Sequence, residues 1–271
     1  MEAETASEAS DDTEYAIQAR GLTKRYGSTV AVENLDLSVP LGKVYGFLGP
    51  NGAGKTTTMR LLTTLTEPTR GSARIMGDTV ESRPDVVKHI GYLPEEPPLY
   101  DELTGREQLE YIADLRGVPE EVAEERIRFL SERFGINDVI DDLISTYSKG
   151  MRRKTALIQT IIHTPEVVFL DEPTAGLDPR SARTVREIIA ELVDRRTTIF
   201  LSSHILPVVD EIADTVGVLH EGELVAEGAP NQLKHKAKRG GEETLEDVFI
   251  DLTSESESGS GDAGSERRSQ G

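Results

Sequence analysis

VYGFLGPNGAGKTTTMRLL, residues 44 to 62, decides the fold. Five apolar residues form a buried strand that runs straight into a glycine-rich turn. A helix follows, carrying Thr57, Met59, Leu61 and Leu62. Within the turn Gly49, Pro50, Asn51, Gly52, Ala53, Gly54, Lys55 and Thr56 fit G-x-x-x-x-G-K-[ST]. Glycine lets the backbone wrap a phosphate so that successive N–H groups point inward, and the helix N-terminus adds partial positive charge. Lys55 is expected to reach the β- and γ-phosphates and Thr56 to place its hydroxyl on Mg²⁺. Kinases, GTPases and many ATPases share such a loop, so by itself it specifies only a nucleoside triphosphate.

Working outward, residues 15 to 50 read as short strands broken by Gly and Asn, closing with the VYGFL strand. Downstream, the pattern predicts a strand around 72 to 76, a helix over 83 to 89 and a strand over 90 to 93. Residues 104 to 146 carry apolar residues three and four apart between acids and arginines, which predicts a helical insert, drawn here as about 104 to 150. The chain then returns to a strand (167 to 171), a helix (180 to 195), a strand (197 to 203) and a hairpin, GVLHEGELVAEG. Strands apolar throughout and alternating with helices imply an α/β fold whose mostly parallel sheet is covered on both faces.

VVFLDE, residues 167 to 172, ends a buried strand on two acids, which is costly unless they have a task at its carboxyl end. Standing 116 residues after Lys55, Asp171 is the candidate to hold Mg²⁺ and Glu172 the candidate to polarise a water for attack on a γ-phosphate. A lone apolar-Asp-Glu run would carry little weight; after a phosphate loop in an alternating α/β chain it carries much more.

Composition narrows the setting. The 49 acids and 30 bases give a net charge of -19. Residues 1 to 14 hold six acids and no base, and residues 251 to 271 five acids and two bases, so 38 acids against 28 bases remain between them. That surplus counts against a nucleic-acid partner. Arginine outnumbers lysine by 21 to 9 and tryptophan is absent, which together with the acidity is the pattern of a protein from a halophilic archaeon. No cysteine is present, so disulfides, thiolate metal sites and cysteine nucleophiles are excluded. The acidic start lacks the basic and apolar regions of a signal peptide, and no run of about 18 apolar residues occurs, so the chain is expected to stay in the cytoplasm. Segments 1 to 14 and 251 to 271 read as disordered tails flanking one domain over 15 to 250.

Five motifs in order give the chain a family. GPNGAGKTT (49 to 57), GYLPEE (91 to 96), YSKGM (147 to 151), VVFLDEPTAGLD (167 to 178) and LSSH (201 to 204) closely resemble those of the ABC ATPases over about residues 16 to 250. The resemblance implies a P-loop NTPase of the ABC ATPase type, with an N-terminal antiparallel β region, a helical insert, and ATP with Mg²⁺ as its ligands. It implies that Tyr26 stacks on the adenine. It implies that the signature loop Ser148, Lys149, Gly150 and Met151 caps the γ-phosphate of ATP held by a second copy. Asp178 would lie in the loop crossing that dimer interface, His204 would be the switch histidine at the γ-phosphate, and Glu95 would serve Mg²⁺ and the attacking water.

Two motifs depart from the usual pattern. Lys149 and Met151 stand where the signature normally has glycine and glutamine, and Glu95 stands where glutamine is usual. A carboxylate still ligates Mg²⁺ but donates no hydrogen bond as an amide does. Both variants look similar to the branch serving ABC-2 type exporters, including drug and sodium export systems. What the resemblance implies is an ATP-hydrolysing subunit that pairs with itself around two MgATP and drives a separate multi-span permease from the cytoplasmic face of the membrane, for export. A soluble ABC ATPase in translation or DNA maintenance, or the ATPase of an importer, is the alternative. The proline-rich PEEPPLYDELT beside Glu95 reads as a docking loop, the basic KHKAKR as a solvated patch, and EETLEDVFIDLT as a packing helix.

Overall fold

The computed structural model describes residues 14–203, 206–236, and Thr244, Glu246, Asp247, Phe249 and Ile250. The expected tails (apart from Glu14), His204, the last three residues of KHKAKR and most of the EETLEDVFIDLT helix lie outside the described residues.

Two sheets share the work. The first is antiparallel, with strand order β2-β1-β4-β5, built from β1 (Tyr15–Tyr26), β2 (Thr29–Pro40), β4 (Arg70–Ile75) and the short β5 (Asp78–Thr79). Where the sequence suggested short strands broken by glycine, β1 and β2 are each 12 residues long. The reason is that Gly21 does not end β1. At φ 58° it takes up a register shift between Ala19 and Leu22, and its N–H is held by Asp36 Oδ1 at 2.8 Å.

The second sheet carries the site. Its order is β10-β9-β3-β8-β7-β6, with β3 (Val44–Leu48), β6 (Ile90–Leu93), β7 (Val167–Asp171), β8 (Thr198–Ser202), β9 (Thr215–His220) and β10 (Glu223–Gly228). Every neighbouring pair is parallel except the β9–β10 hairpin, so the expected mostly parallel sheet is present. The two middle crossovers match the sequence reading closely: α2 (Arg83–His89) leads into β6, and α6 (Pro179–Asp194) leads into β8.

Strands β3, β7 and β8 are buried at every residue, and their alternation splits the core in two. Tyr45, Phe47, Phe169 and Phe200 point toward the antiparallel sheet and α1 (Lys55–Leu62), with Tyr45 and Phe200 stacked at 5.3 Å between ring centroids. Val44, Leu48, Val168, Leu170, Ile199 and Leu201 point the other way, onto α3 (Gly105–Leu115), α4 (Glu120–Phe134), α5 (Lys149–Ile161) and α6. Burying both faces of a sheet fixes strand register, because a slip of one residue would exchange the two cores.

Helix α3 opens on a capping box, in which Thr104 Oγ1 accepts from the Glu107 N–H and Glu107 Oε2 accepts from the Thr104 N–H. Helix α4 starts on Glu120 and Glu121 and stops at Gly135 in the left-handed conformation. Helix α5 packs so closely on β6 that a Cβ at Gly91 would meet the Thr160 carbonyl oxygen at 2.2 Å. The expected insert therefore comprises α3, α4 and the turns after them, while α5, whose first two residues it included, belongs to the layer beneath the sheet. Two short helices complete the described chain, α7 (Leu206–Ile212) and α8 (Pro230–Lys236), the latter in the predicted NQLKHK stretch.

Candidate nucleotide site

The carboxyl ends of β3, β6, β7 and β8 open on one cavity of about 720 Å³. It is lined by Gly49, Pro50, Asn51, Gly52, Gly54, Lys55, Thr56 and Thr57 from the phosphate loop, Glu95 from beyond β6, Asp171 from the end of β7 and Glu172 just after it. Ala31, Ser203, Leu206 and Phe249 close it. This is where an open parallel sheet binds ligands, outside the carboxyl ends of its strands.

The loop is built as a cradle. Gly54 forms the N-cap of α1 at φ 107°, and a Cβ there would lie 2.3 Å from the Ala31 carbonyl oxygen. Neighbouring turns lock it in place: the Gly222 N–H donates to Ala53 O at 3.0 Å, and the Glu33 N–H donates to Gly222 O at 2.8 Å. Ala53 itself is buried behind the cavity wall. Lys55 Nζ donates back to Gly49 O and Pro50 O at 2.6 and 3.0 Å. Burial pulls its pKa below the usual lysine range, while Glu172, Asp171 and Glu95 pull the other way. Among the described residues the ammonium's hydrogen bonds go to neutral carbonyls, which leaves charge to spare for an anionic ligand.

Asp171 is held from both sides. Ser202 Oγ donates to its Oδ1 and Thr56 Oγ1 to its Oδ2, the latter at 3.0 Å. The phosphate-loop hydroxyl and the carboxylate that the sequence assigned to one cation thus sit within hydrogen-bond distance, and Glu95 lines the same cavity. These are hard oxygen donors, the set that Mg²⁺ takes alongside phosphate oxygens and water. Among the described residues no group of three or more His, Cys, Asp or Glu is placed to hold a metal by itself.

Glu172 follows at φ 51°, a left-handed conformation that is costly for a side-chain-bearing residue and is seen where the surroundings enforce it. Its N–H donates to Ser202 O at 3.1 Å, and the residue is 8% exposed. On β6, burial and the nearby Asp171 charge push the Tyr92 hydroxyl up to about 12.

The remaining predicted residues stand elsewhere. Ser148 is the N-cap of α5, its Oγ accepting from the Met151 N–H at 3.3 Å, with Lys149 and Gly150 in the same first turn. Asp178 is the N-cap of α6, accepting from the Arg180 and Ser181 N–H groups at 3.0 Å and from Ser181 Oγ at 2.6 Å, which holds its pKa below the usual carboxylate range. The two caps share one face: Gly150 lies against Leu177, and the Lys149 side chain runs along Gly176. None of them lines the cavity. Tyr26, at the exposed end of β1, does not line it either; Lys24 Nζ sits 5.0 Å from its ring centroid. Ala31 of β2 does line it, with no sequence signal to announce it. Ser202 lay inside a recognised motif, but its role as a partner of Asp171 was not legible.

The family model described as ABC transporter matches residues 32–175. The daunorubicin/doxorubicin resistance ATP-binding protein DrrA of Streptomyces peucetius is 46% identical over 220 residues, covering 81% of this chain and 67% of the relative. The ABC transporter ATP-binding protein NatA of Bacillus subtilis is 40% identical over 222 residues, covering 81% and 89%. A solved structure described as the ATP binding subunit of an ABC transporter superposes with a TM-score of 0.82 at 30% identity, covering 88% of this chain and 99% of its own.

Proposed function

Because the chain belongs to the ABC transporter family of ATP-binding subunits and is an ATPase that serves a membrane permease, we propose that two copies close around two MgATP and drive export from the cytoplasmic face of the membrane. One observation carries the two-chain reading. Lys55, Thr56, Glu95, Asp171 and Glu172 converge on one cavity, whereas the signature residues at the start of α5 and the Asp178 cap of α6 share a separate face. A second copy brings that face to the open side of the cavity.

The site residues then divide the task. The phosphate-loop amides and Lys55 bind and orient the triphosphate. Thr56, Asp171 and Glu95 hold Mg²⁺, which when bound neutralises charge on the phosphate oxygens. Glu172 accepts a proton from the attacking water, and His204 contacts the γ-phosphate. Ser148, Lys149, Gly150 and Met151 cap the phosphate in the partner copy, where the cation at Lys149 adds attraction that a glycine lacks, and Asp178 crosses the interface. Tyr26 reaches the adenine. Residues 15–250 form one ATPase domain between acidic tails.

The role of DrrA in daunorubicin/doxorubicin resistance favours export for this chain. In this reading the permease is a separate chain and this one is peripheral to it; no described helix is long and apolar enough to cross a membrane. The acidic surplus suits an origin in a salt-loving archaeon and counts against nucleic acid as a partner.

The test is to isolate the tagged chain from its own membranes, identify what accompanies it by mass spectrometry, and assay ATP hydrolysis. A multi-span partner, with activity lost in Glu172→Gln, is expected. Recovery with ribosomes or DNA would move the chain to the soluble branch, and a periplasmic-type binding protein in the complex would make it an importer.

A further inference from the structure

Arg153 is 5% exposed, in the second turn of α5, and is a long way from the phosphate loop in sequence. Its Nη1 donates to Pro94 O at 2.9 Å and to Glu95 O at 2.7 Å. Its Nη2 donates to the carbonyls of Asp171 and Glu172. All four terminal N–H bonds of the guanidinium are thereby spent on the backbone of two loops, and the side chains of those loops, Glu95, Asp171 and Glu172, line the cavity.

We propose that Arg153 is a positioning residue for hydrolysis, a buried fork that ties the loop bearing Glu95 and the strand end bearing Asp171 and Glu172 to the helix whose first residues form the signature loop. The proposal rests on the reading of the cavity as an ATPase site.

Three features support it. A guanidinium is planar and presents its donors in a fixed geometry, so four carbonyls held by one group are held relative to each other. Glu172 sits in a left-handed backbone conformation, and that strained residue is gripped on both sides: its N–H by Ser202 O and its carbonyl by Arg153. A conformation of this kind persists only when its surroundings over-determine it. Third, the arginine brings a positive charge to a place where Asp171, Glu172 and Glu95 all act on it electrostatically, although burial opposes that charge. Glu95 adds one carboxylate to the pair on β7, and Arg153 offsets it. Because Ser148 caps the same helix one turn earlier, any shift of α5 when the signature loop meets a ligand is passed by this fork to the backbone of Glu95 and Glu172.

The test compares the full-length parent, Arg153→Gln, Arg153→Lys and Lys55→Ala for MgATP affinity, turnover at saturating ATP, and thermal midpoint. Arg153→Gln is expected to bind ATP within about threefold of the parent yet to turn over about 100-fold more slowly, the scale of a misplacement of about 1 Å at a reacting group. Arg153→Lys keeps the charge and three donors but loses the fork, so its turnover is expected between the two, with affinity unchanged. An arginine that merely supports the fold would lower affinity, turnover and thermal midpoint in parallel, and Lys would then track the midpoint. That pattern, or full turnover in Arg153→Gln, overturns the proposal. Should Arg153→Gln fail to fold, the split between affinity and turnover in Arg153→Lys decides by the same criterion. A parent that neither binds nor hydrolyses ATP, or Lys55→Ala binding as the parent does, refutes the site reading and takes this proposal with it.

Discussion

Gly54→Ala is the most local change with a consequence for the whole site. At φ 107° the residue lies beyond the left-handed region open to residues with a side chain, a strain of about 1–3 kcal/mol. The new Cβ would also lie 2.3 Å from the Ala31 carbonyl oxygen, a backbone atom of β2 that cannot swing aside as a side-chain tip would. Forcing an atom into such a space costs about 1–3 kcal/mol more. Together they amount to about 4 kcal/mol, a fall of roughly 10 °C in thermal midpoint for a domain of this size. Gly52→Ala separates the two contributions. It too has positive φ, at 84°, but nothing stands within 4 Å of its Cβ position, so only the strain applies and the midpoint falls by a few degrees. Scanning fluorimetry without nucleotide reads both shifts, and ATP titration of Gly54→Ala is expected to show weakened binding as the displaced loop loses its inward amides. Equal shifts for the two variants, or ATP affinity in Gly54→Ala equal to the parent's, would refute the claim that the loop is held closed against β2.

Two further outcomes follow from particular contacts and a third from the composition. Ser202→Ala removes a buried donor from Asp171 and is expected to cost about 2 kcal/mol, read by urea unfolding, and to slow turnover; unchanged values for both would mean that Ser202 does not hold the carboxylate. His163, whose Nε2–H donates to Ile90 O, is pulled down to about 4, chiefly by burial and then by the Arg116 charge. Below its unfolded value of 6.5 the unfolded chain takes up a proton that the folded chain refuses, so stability present above that pH is lost as pH falls toward 4, by at most about 3 kcal/mol; His163→Gln should flatten that part of the stability profile, and an unaltered profile contradicts it. ATPase activity is expected to rise with KCl toward the molar range, and an optimum in dilute buffer would remove the salt-adapted reading of the acidic surplus.

Much of this architecture was written in local patterns. The central strands are uniformly apolar because both their faces are covered, and that pattern placed β3, β6, β7 and β8 almost to the residue. The phosphate loop and the Asp171–Glu172 pair were equally plain, since backbone geometry demands glycines and a buried strand does not end on two acids without cause. What escaped has a common physical origin. Arg153 acts through carbonyl oxygens of residues 18, 19, 58 and 59 positions away, and a carbonyl carries no residue identity for a sequence to display. Ala31 enters the cavity wall because a hairpin strand of the other sheet crosses there, which only the packing of the two sheets determines. The length of β1 was hidden by Gly21, which reads as a strand breaker and serves as a bulge. Tyr26 shows the reverse case, a side chain named by family likeness whose contact depends on a ligand.

The account turns on a composite site that needs two copies of the chain, and the most direct test is sedimentation of purified Glu172→Gln with and without saturating MgATP, with nucleotide content measured alongside. The account predicts a monomer that becomes a dimer holding two ATP when MgATP is added, because binding is intact and turnover is blocked. A chain that remains monomeric with ATP bound contradicts it.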